Sequence, residues 1–252
     1  MRIPGTERTR GRAGVAAMAA GATALAVLLA GCGGDGDSAG QRAEARAKPS
    51  EKRTSPSQDP TRVPGVGDRL QAKIPGNSTQ VVTVRGEGVN SADATVRLYE
   101  KHGKTWSQTA SWRAHNGKKG WTKNHREGDK RSPVGVFMLT DAGGVLADPG
   151  AKLPYTHSAA FTPPTYWPKK TRHDFDYVIA VDYNRVKGTS PLDPTRPQGK
   201  SKGGSIWLHR DHGSGTSGCV SVSKAGMEKL LRTLDPKKHP VVAMGDRAAL
   251  EG

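Results

Sequence analysis

Strand-like runs separated by turn residues, with one helical stripe near the end, restrict the fold of this chain more than any other feature. The runs are Gln80–Arg85, Ala94–Glu100, Thr105–Ala114, Val134–Leu139, Tyr177–Asp182, Ser205–His209 and Pro240–Met244. In Ala94–Glu100, Val96 and Leu98 alternate with Thr95, Arg97 and Tyr99, the period of a half-buried strand. Asn116-Gly117 and Asp148-Pro149-Gly150 supply turn chemistry between runs. Met227, Leu230, Leu231 and Leu234 form a single helical stripe, with Ser223 placed to cap it and Asp235-Pro236 to stop it. The pattern predicts a mainly β domain over residues 79–247, a β-sandwich or partly closed barrel with one or two helices. That length supports one hydrophobic core. Lys152–Arg172 has no periodicity and several prolines, and a loop of that length reads as a functional lid.

The amino-terminal segment reads as an address. Arg2, Arg8, Arg10 and Arg12 precede an apolar stretch, Ala13–Ala30, which ends in Leu29-Ala30-Gly31-Cys32. This resembles a lipoprotein signal over residues 1–31, cleaved before a lipidated Cys32; a retained membrane anchor is the competing reading. Residues 32–78 are mostly Gly, Ser, Pro, Ala and mixed charge, the composition of a disordered tether. About forty such residues span roughly 35 Å root-mean-square. The expected location is therefore extracytoplasmic, membrane-anchored and facing the cell wall. The formal charge is +16, and the chain stays strongly basic without its leader. Nucleic acid is not an expected partner outside the cytoplasm, whereas anionic wall polymers and lipid head groups are.

With Cys32 lipidated, Cys219 is a lone thiol, either reactive or inertly buried. It lies in Ser205-Ile-Trp-Leu-His209-Arg-Asp-His212-Gly-Ser-Gly-Thr216-Ser-Gly-Cys219-Val-Ser-Val-Ser223. A cysteine nucleophile needs a histidine to lower its pKa or take its proton. His209 closes an apolar run and has a fixed scaffold; His212, in the glycine loop, is the alternative base. Gly218 leaves the backbone beside the thiol uncrowded enough for main-chain amides to act as an oxyanion hole. A zinc site of His209, Asp211, His212 and Cys219 is a rival, although a lone Cys suits a catalytic zinc poorly. The remaining histidines lie among polar residues and read mostly as surface positions.

The His-loop-[Ser/Thr]-x-Gly-Cys arrangement resembles the catalytic motif of the L,D-transpeptidase catalytic-domain (YkuD-like) family. Gly128-Asp129-Lys130-Arg131-Ser132-Pro133-Val134-Gly135-Val136-Phe137 is similar to a second segment of that family, with Ser132 in the Thr place. The resemblance covers about residues 80–246. It implies Cys219 as nucleophile, His209 as its base, Thr216, Ser217 and Gly218 around the oxyanion and substrate, and no metal or organic cofactor. Two positions depart from the family pattern: Ser217 stands where His is frequent, and Ser221 where Arg or Asn is frequent.

The function this implies is peptidoglycan 3→3 cross-linking through a cysteine thioester, with stem peptides as donor and acceptor. Water as acceptor would give an L,D-carboxypeptidase at the same site. The two serine departures motivate a further alternative, a non-catalytic wall-binding lipoprotein.

Overall fold

A computed structural model describes residues 59–252. The expected signal, Cys32 and most of the expected tether lie outside the described residues. Ten strands make one curled sheet. They are β1 (Gln80–Gly86), β2 (Asp93–His102), β3 (Thr105–His115), β6 (Gly135–Met138), β7 (Ala142–Gly144), β8 (Tyr155–His157), β9 (Val178–Ala180), β10 (Trp207–Arg210), β11 (Val220–Val222) and β12 (Val241–Asp246). Their order is β6-β12-β1-β2-β3-β11-β10-β9-β7-β8. The short strands β4 (Trp121–Thr122) and β5 (Ser132–Pro133) pair separately. Three α-helices accompany the sheet: α1 (Asp68–Gln71), α2 (Lys224–Thr233) and α3 (Arg247–Glu251). None is long and apolar enough to cross a membrane. The mainly β expectation holds, as one curled half-barrel sheet with three helices.

The sheet is buried on both faces. Val82, Val84, Val96, Leu98, Ile179, Leu208, Val220, Val242 and Met244 point into the principal core. Their strand neighbours Val81, Tyr99, Val241 and Ala243 join a second cluster on the other face, and Val178, Ala180 and Trp207 a third. Strands buried on both sides read as continuous apolar runs, which is why Gln80–Arg85 and Tyr177–Asp182 stand out in the sequence. Helix α2 closes the principal core with Met227, Leu230 and Leu231, and Leu234 directly after it joins them, all fully buried. The Ser223 hydroxyl caps it, accepting a hydrogen bond from the Gly226 amide.

The expected domain boundaries are too narrow at both ends. Val63, Val66 and Leu70, placed by sequence in the tether, are buried in the second cluster with Leu250 of α3. The Gly67 amide donates to the Leu250 carbonyl at 2.8 Å. Four apolar residues, Val63, Val66, Leu70 and Ile74, are spread among Pro, Gly and charge, too thinly to raise the local composition above that of a linker.

Leu231→Ala would leave a cavity under the sheet and is expected to lower stability by about 2–5 kcal/mol. Ser223→Ala removes one cap and is expected to lower it by about 1 kcal/mol. Urea unfolding of the two variants should show this order, with the midpoint of Leu231→Ala the lower.

Candidate active site

Strands β10 and β11 run parallel, with Leu208 opposite Val220, His209 opposite Ser221 and Arg210 opposite Val222. Leu208, Val220 and Val222 face the principal core. The alternate residues, Trp207 and His209 on β10 and Ser221 on β11, therefore face the other side. Cys219, one residue before β11, shares that side and packs with Trp207. Cys219 and His209 thus open into one cleft of about 760 Å³.

The cysteine loop is held by hydroxyls from two distant segments. Thr216 Oγ1 donates to the Cys219 carbonyl at 2.6 Å and accepts from the Gly218 amide at 3.1 Å. Ser132 Oγ donates to the Gly218 carbonyl at 2.7 Å and accepts from the Gly117 amide at 2.9 Å. The second family-like segment therefore acts as a clamp on the cysteine loop. Gly218 is required here: its φ is +152°, and a Cβ would stand 3.1 Å from the Arg131 carbonyl oxygen. The Gly218 amide is committed to Thr216 Oγ1. The Cys219 amide makes no hydrogen bond among the described residues. Ser217 is exposed and lines the cleft.

The sulfur accepts from the Trp207 amide and donates to the Ser205 carbonyl, both at 3.4 Å. Burial pushes the Cys219 thiol up to about 11; the Trp207 amide opposes this and Asp174 adds to it. His209 is 2% exposed, and its Nδ1 lies 2.8 Å from the Arg210 carbonyl. A carbonyl can only accept, so Nδ1 carries the proton and Nε2 of the neutral ring is bare. Burial drops His209 to about 4, against the smaller effect of the Arg210 carbonyl. The edge of Phe175 packs against the ring, centroids 5.4 Å apart, and fixes its plane. Thiol and imidazole are both neutral at rest.

His212, the alternative base, also lines the cleft, but its neighbour is Asp174, with Nδ1 3.0 Å from Oδ2. The two are close without being aligned for a hydrogen bond. Asp211, one of the residues of the zinc reading, turns to other partners. It accepts from Ser221 Oγ at 2.6 Å and the Gly213 amide at 3.0 Å, and lies 2.8 Å from His115 Nδ1. Burial raises its carboxyl, but these hydrogen bonds outweigh burial and hold it below the usual range. Among the described residues no three His, Cys, Asp or Glu side chains converge to hold a metal.

Two of the remaining histidines are withdrawn from the surface. His125 is buried, with its ring edge-on to Tyr183, and His115 is half-buried between Asp211 and Asp93. The expected lid at Lys152–Arg172 holds β8 and two short 3₁₀ turns, and its Trp167, Pro168, Lys170 and Thr171 line the cleft. Asp174 and Phe175, just past that loop, carry no sequence signal, because only the fold brings them to β10. Lys118 and Lys170 bring positive charge to the same cleft.

A comparison with curated proteins gave no match. Among solved structures, one of Bd1075 from Bdellovibrio bacteriovorus is similar, at 17% identity and a TM-score of 0.37. The match covers 66% of this chain and 47% of that one, so the chain spans about half the length of that relative. The family model for the L,D-transpeptidase catalytic domain, YkuD, matches residues 88–242. That span holds both the cysteine loop and the Ser132 clamp, and the chain belongs to the YkuD L,D-transpeptidase catalytic-domain family.

Proposed function

We propose that the protein is a cysteine-dependent peptidoglycan L,D-transpeptidase that forms 3→3 cross-links through a thioester on Cys219. The observation that carries this reading is the His209 tautomer. The Arg210 carbonyl pins the proton on Nδ1, which leaves Nε2 as the base in the cleft shared with Cys219. Such a pair works without a resting thiolate. As Sγ attacks the amide joining a diamino acid to the terminal D-Ala, the thiol proton passes to His209 Nε2. The C–N bond then breaks, and His209 returns that proton to the departing D-Ala nitrogen. The Cys219 amide is the donor we assign to the oxyanion.

A side-chain amine of a neighbouring stem then attacks the thioester, forming the new C–N bond and releasing Sγ. Lys118 and Lys170 in the cleft suit the carboxylates of stem peptides. Location at the outer membrane face through a lipid on Cys32 belongs to the same proposal and rests on the sequence of the leader alone.

Two outcomes are expected. Incubated with disaccharide-tetrapeptide, the protein should release D-Ala and form a cross-linked dimer seen by mass spectrometry. Cys219→Ala should abolish both, and His209→Gln should slow D-Ala release by about 10²–10⁴-fold. D-Ala loss without dimer would move the assignment to an L,D-carboxypeptidase, and no turnover would favour a wall-binding role.

The second outcome concerns the resting thiol. Only the thiolate is alkylated, and its fraction rises as pH climbs toward a thiol value of about 11. Iodoacetamide labelling of Cys219 should therefore quicken about tenfold per pH unit from neutrality to about pH 10, and His209→Ala should not change that profile. Labelling that levels off below about pH 8 would contradict the neutral pair.

A further inference from the structure

The cleft holds an acidic group that the acylation step leaves idle. Asp174 and His212 have side chains only 6% and 8% exposed, yet both line the cavity that holds Cys219. Among the described residues the other carboxylate lining it is Glu127, which is exposed. His212 Nδ1 stands 3.0 Å from Asp174 Oδ2 but has no aligned hydrogen-bond partner. A buried polar atom left in that state is unusual and calls for a partner. Asp174 is itself fixed in place. Its carbonyl accepts from the Arg210 amide at 3.0 Å, directly after His209, and its amide donates to the Thr171 carbonyl at 3.1 Å. Arg210 makes its ion pair elsewhere, with Nη1 on Asp176 Oδ2 at 2.6 Å, and reaches Asp174 only through its field.

The proton count of the transfer step gives such a group work to do. An acceptor amine arrives as an ammonium. Ammonium and thioester give the amide, the thiol and one free proton: a C–N bond forms, the C–S bond breaks, and two protons leave nitrogen. One returns to Sγ through His209, which can carry only one. The other needs a second acceptor.

We propose, resting on the transpeptidase reading, that Asp174 with His212 against it is the acceptor site, binding the incoming ammonium and taking its first proton before thioester attack. Lys118 and Lys170 line the same cleft, and Lys170 acts on Asp174 and His212 themselves, so a carboxylate is needed to offset them and seat a cation. Lys170 Nζ is turned to Ser214 Oγ at 2.8 Å. Burial, aided by Asp211 and Asp176 and opposed by Lys170 and Arg210, raises the Asp174 carboxyl to about 7. A carboxyl so raised is a stronger proton acceptor than an ordinary carboxylate. His212 is the positioning partner.

The test compares wild type, Asp174→Asn and His212→Gln with disaccharide-tetrapeptide as donor and acceptor, reading cross-linked dimer formed per D-Ala released. Parallel reactions contain hydroxylamine, an amine that is largely neutral near neutral pH and needs no first deprotonation. Asp174→Asn is expected to lower the dimer ratio by about 10²-fold, and His212→Gln to lower it less, while both keep the wild-type hydroxamate ratio. Equal losses of dimer and hydroxamate, or an unchanged dimer ratio, would overturn the assignment. So would D-Ala release by wild type without any dimer. If wild type releases no D-Ala, the transpeptidase reading itself falls, and the acceptor site with it.

Discussion

The pairing of β10 with β11 is the constraint on which the site depends. Parallel neighbours ordinarily need a crossover of about a dozen residues or more. Here the link is only Asp211–Cys219. A link that short cannot cross a sheet face with a helix, so it loops out beside the end of β3 and returns. It is tied there by the Thr216 amide to the Asn116 carbonyl and the Lys118 amide to the Thr216 carbonyl, both at 2.8 Å. Gly215 permits the approach, since a Cβ would stand 2.7 Å from Lys118 Cα. The same excursion delivers Cys219 to the face that carries Trp207 and His209. Chain connectivity and thiol placement are thus one solution to one geometric problem.

Burial then sets the chemistry. The enclosure that lifts the thiol and depresses the imidazole disfavours charge on both, so the resting pair is neutral and no ion pair is lost when a substrate displaces water. The Arg210 carbonyl matters more for direction than for affinity: it selects the tautomer. In the mechanism we propose, a buried neutral imidazole with its Nε2 bare takes its proton from the attacking thiol.

How much of this is legible in the sequence follows from burial as well. Strands buried on both faces, such as Val81–Val84 and Val241–Met244, announce themselves as apolar runs, and the α2 stripe does so by its period. Strands β4, β5, β7 and β8 are two or three residues long and include Ser132-Pro133 and Ala142-Gly143-Gly144, which carry turn-like residues and no alternation. Cys219, His209 and the Ser132 segment are readable because local order along the chain preserves them in motifs. Asp174, Phe175 and the His115–Asp211–Ser221 group were not, because they come from β3, the loop before β9 and the β10–β11 region, and only the sheet brings them together.

The two departures from the family pattern have unequal meaning. Ser221 is fully buried and its hydroxyl is spent on Asp211, whose other partners are His115 and the Gly213 amide. A long cation at that position would have to displace this set; with serine, Asp211 instead anchors the start of the cysteine loop to β3. The change is absorbed by the scaffold. Ser217 is exposed and lines the cleft. The buried ring of His125 packs beside Gly218, where a Cβ would stand 3.4 Å from its Cε1. It supports the loop without entering the cleft lining. Under the proposed function, an effect of the serine before Gly-Cys on donor recognition should therefore trace to the Ser217 side of the cleft, apart from the thiol, the His209 tautomer and the Ser132–Thr216 clamp.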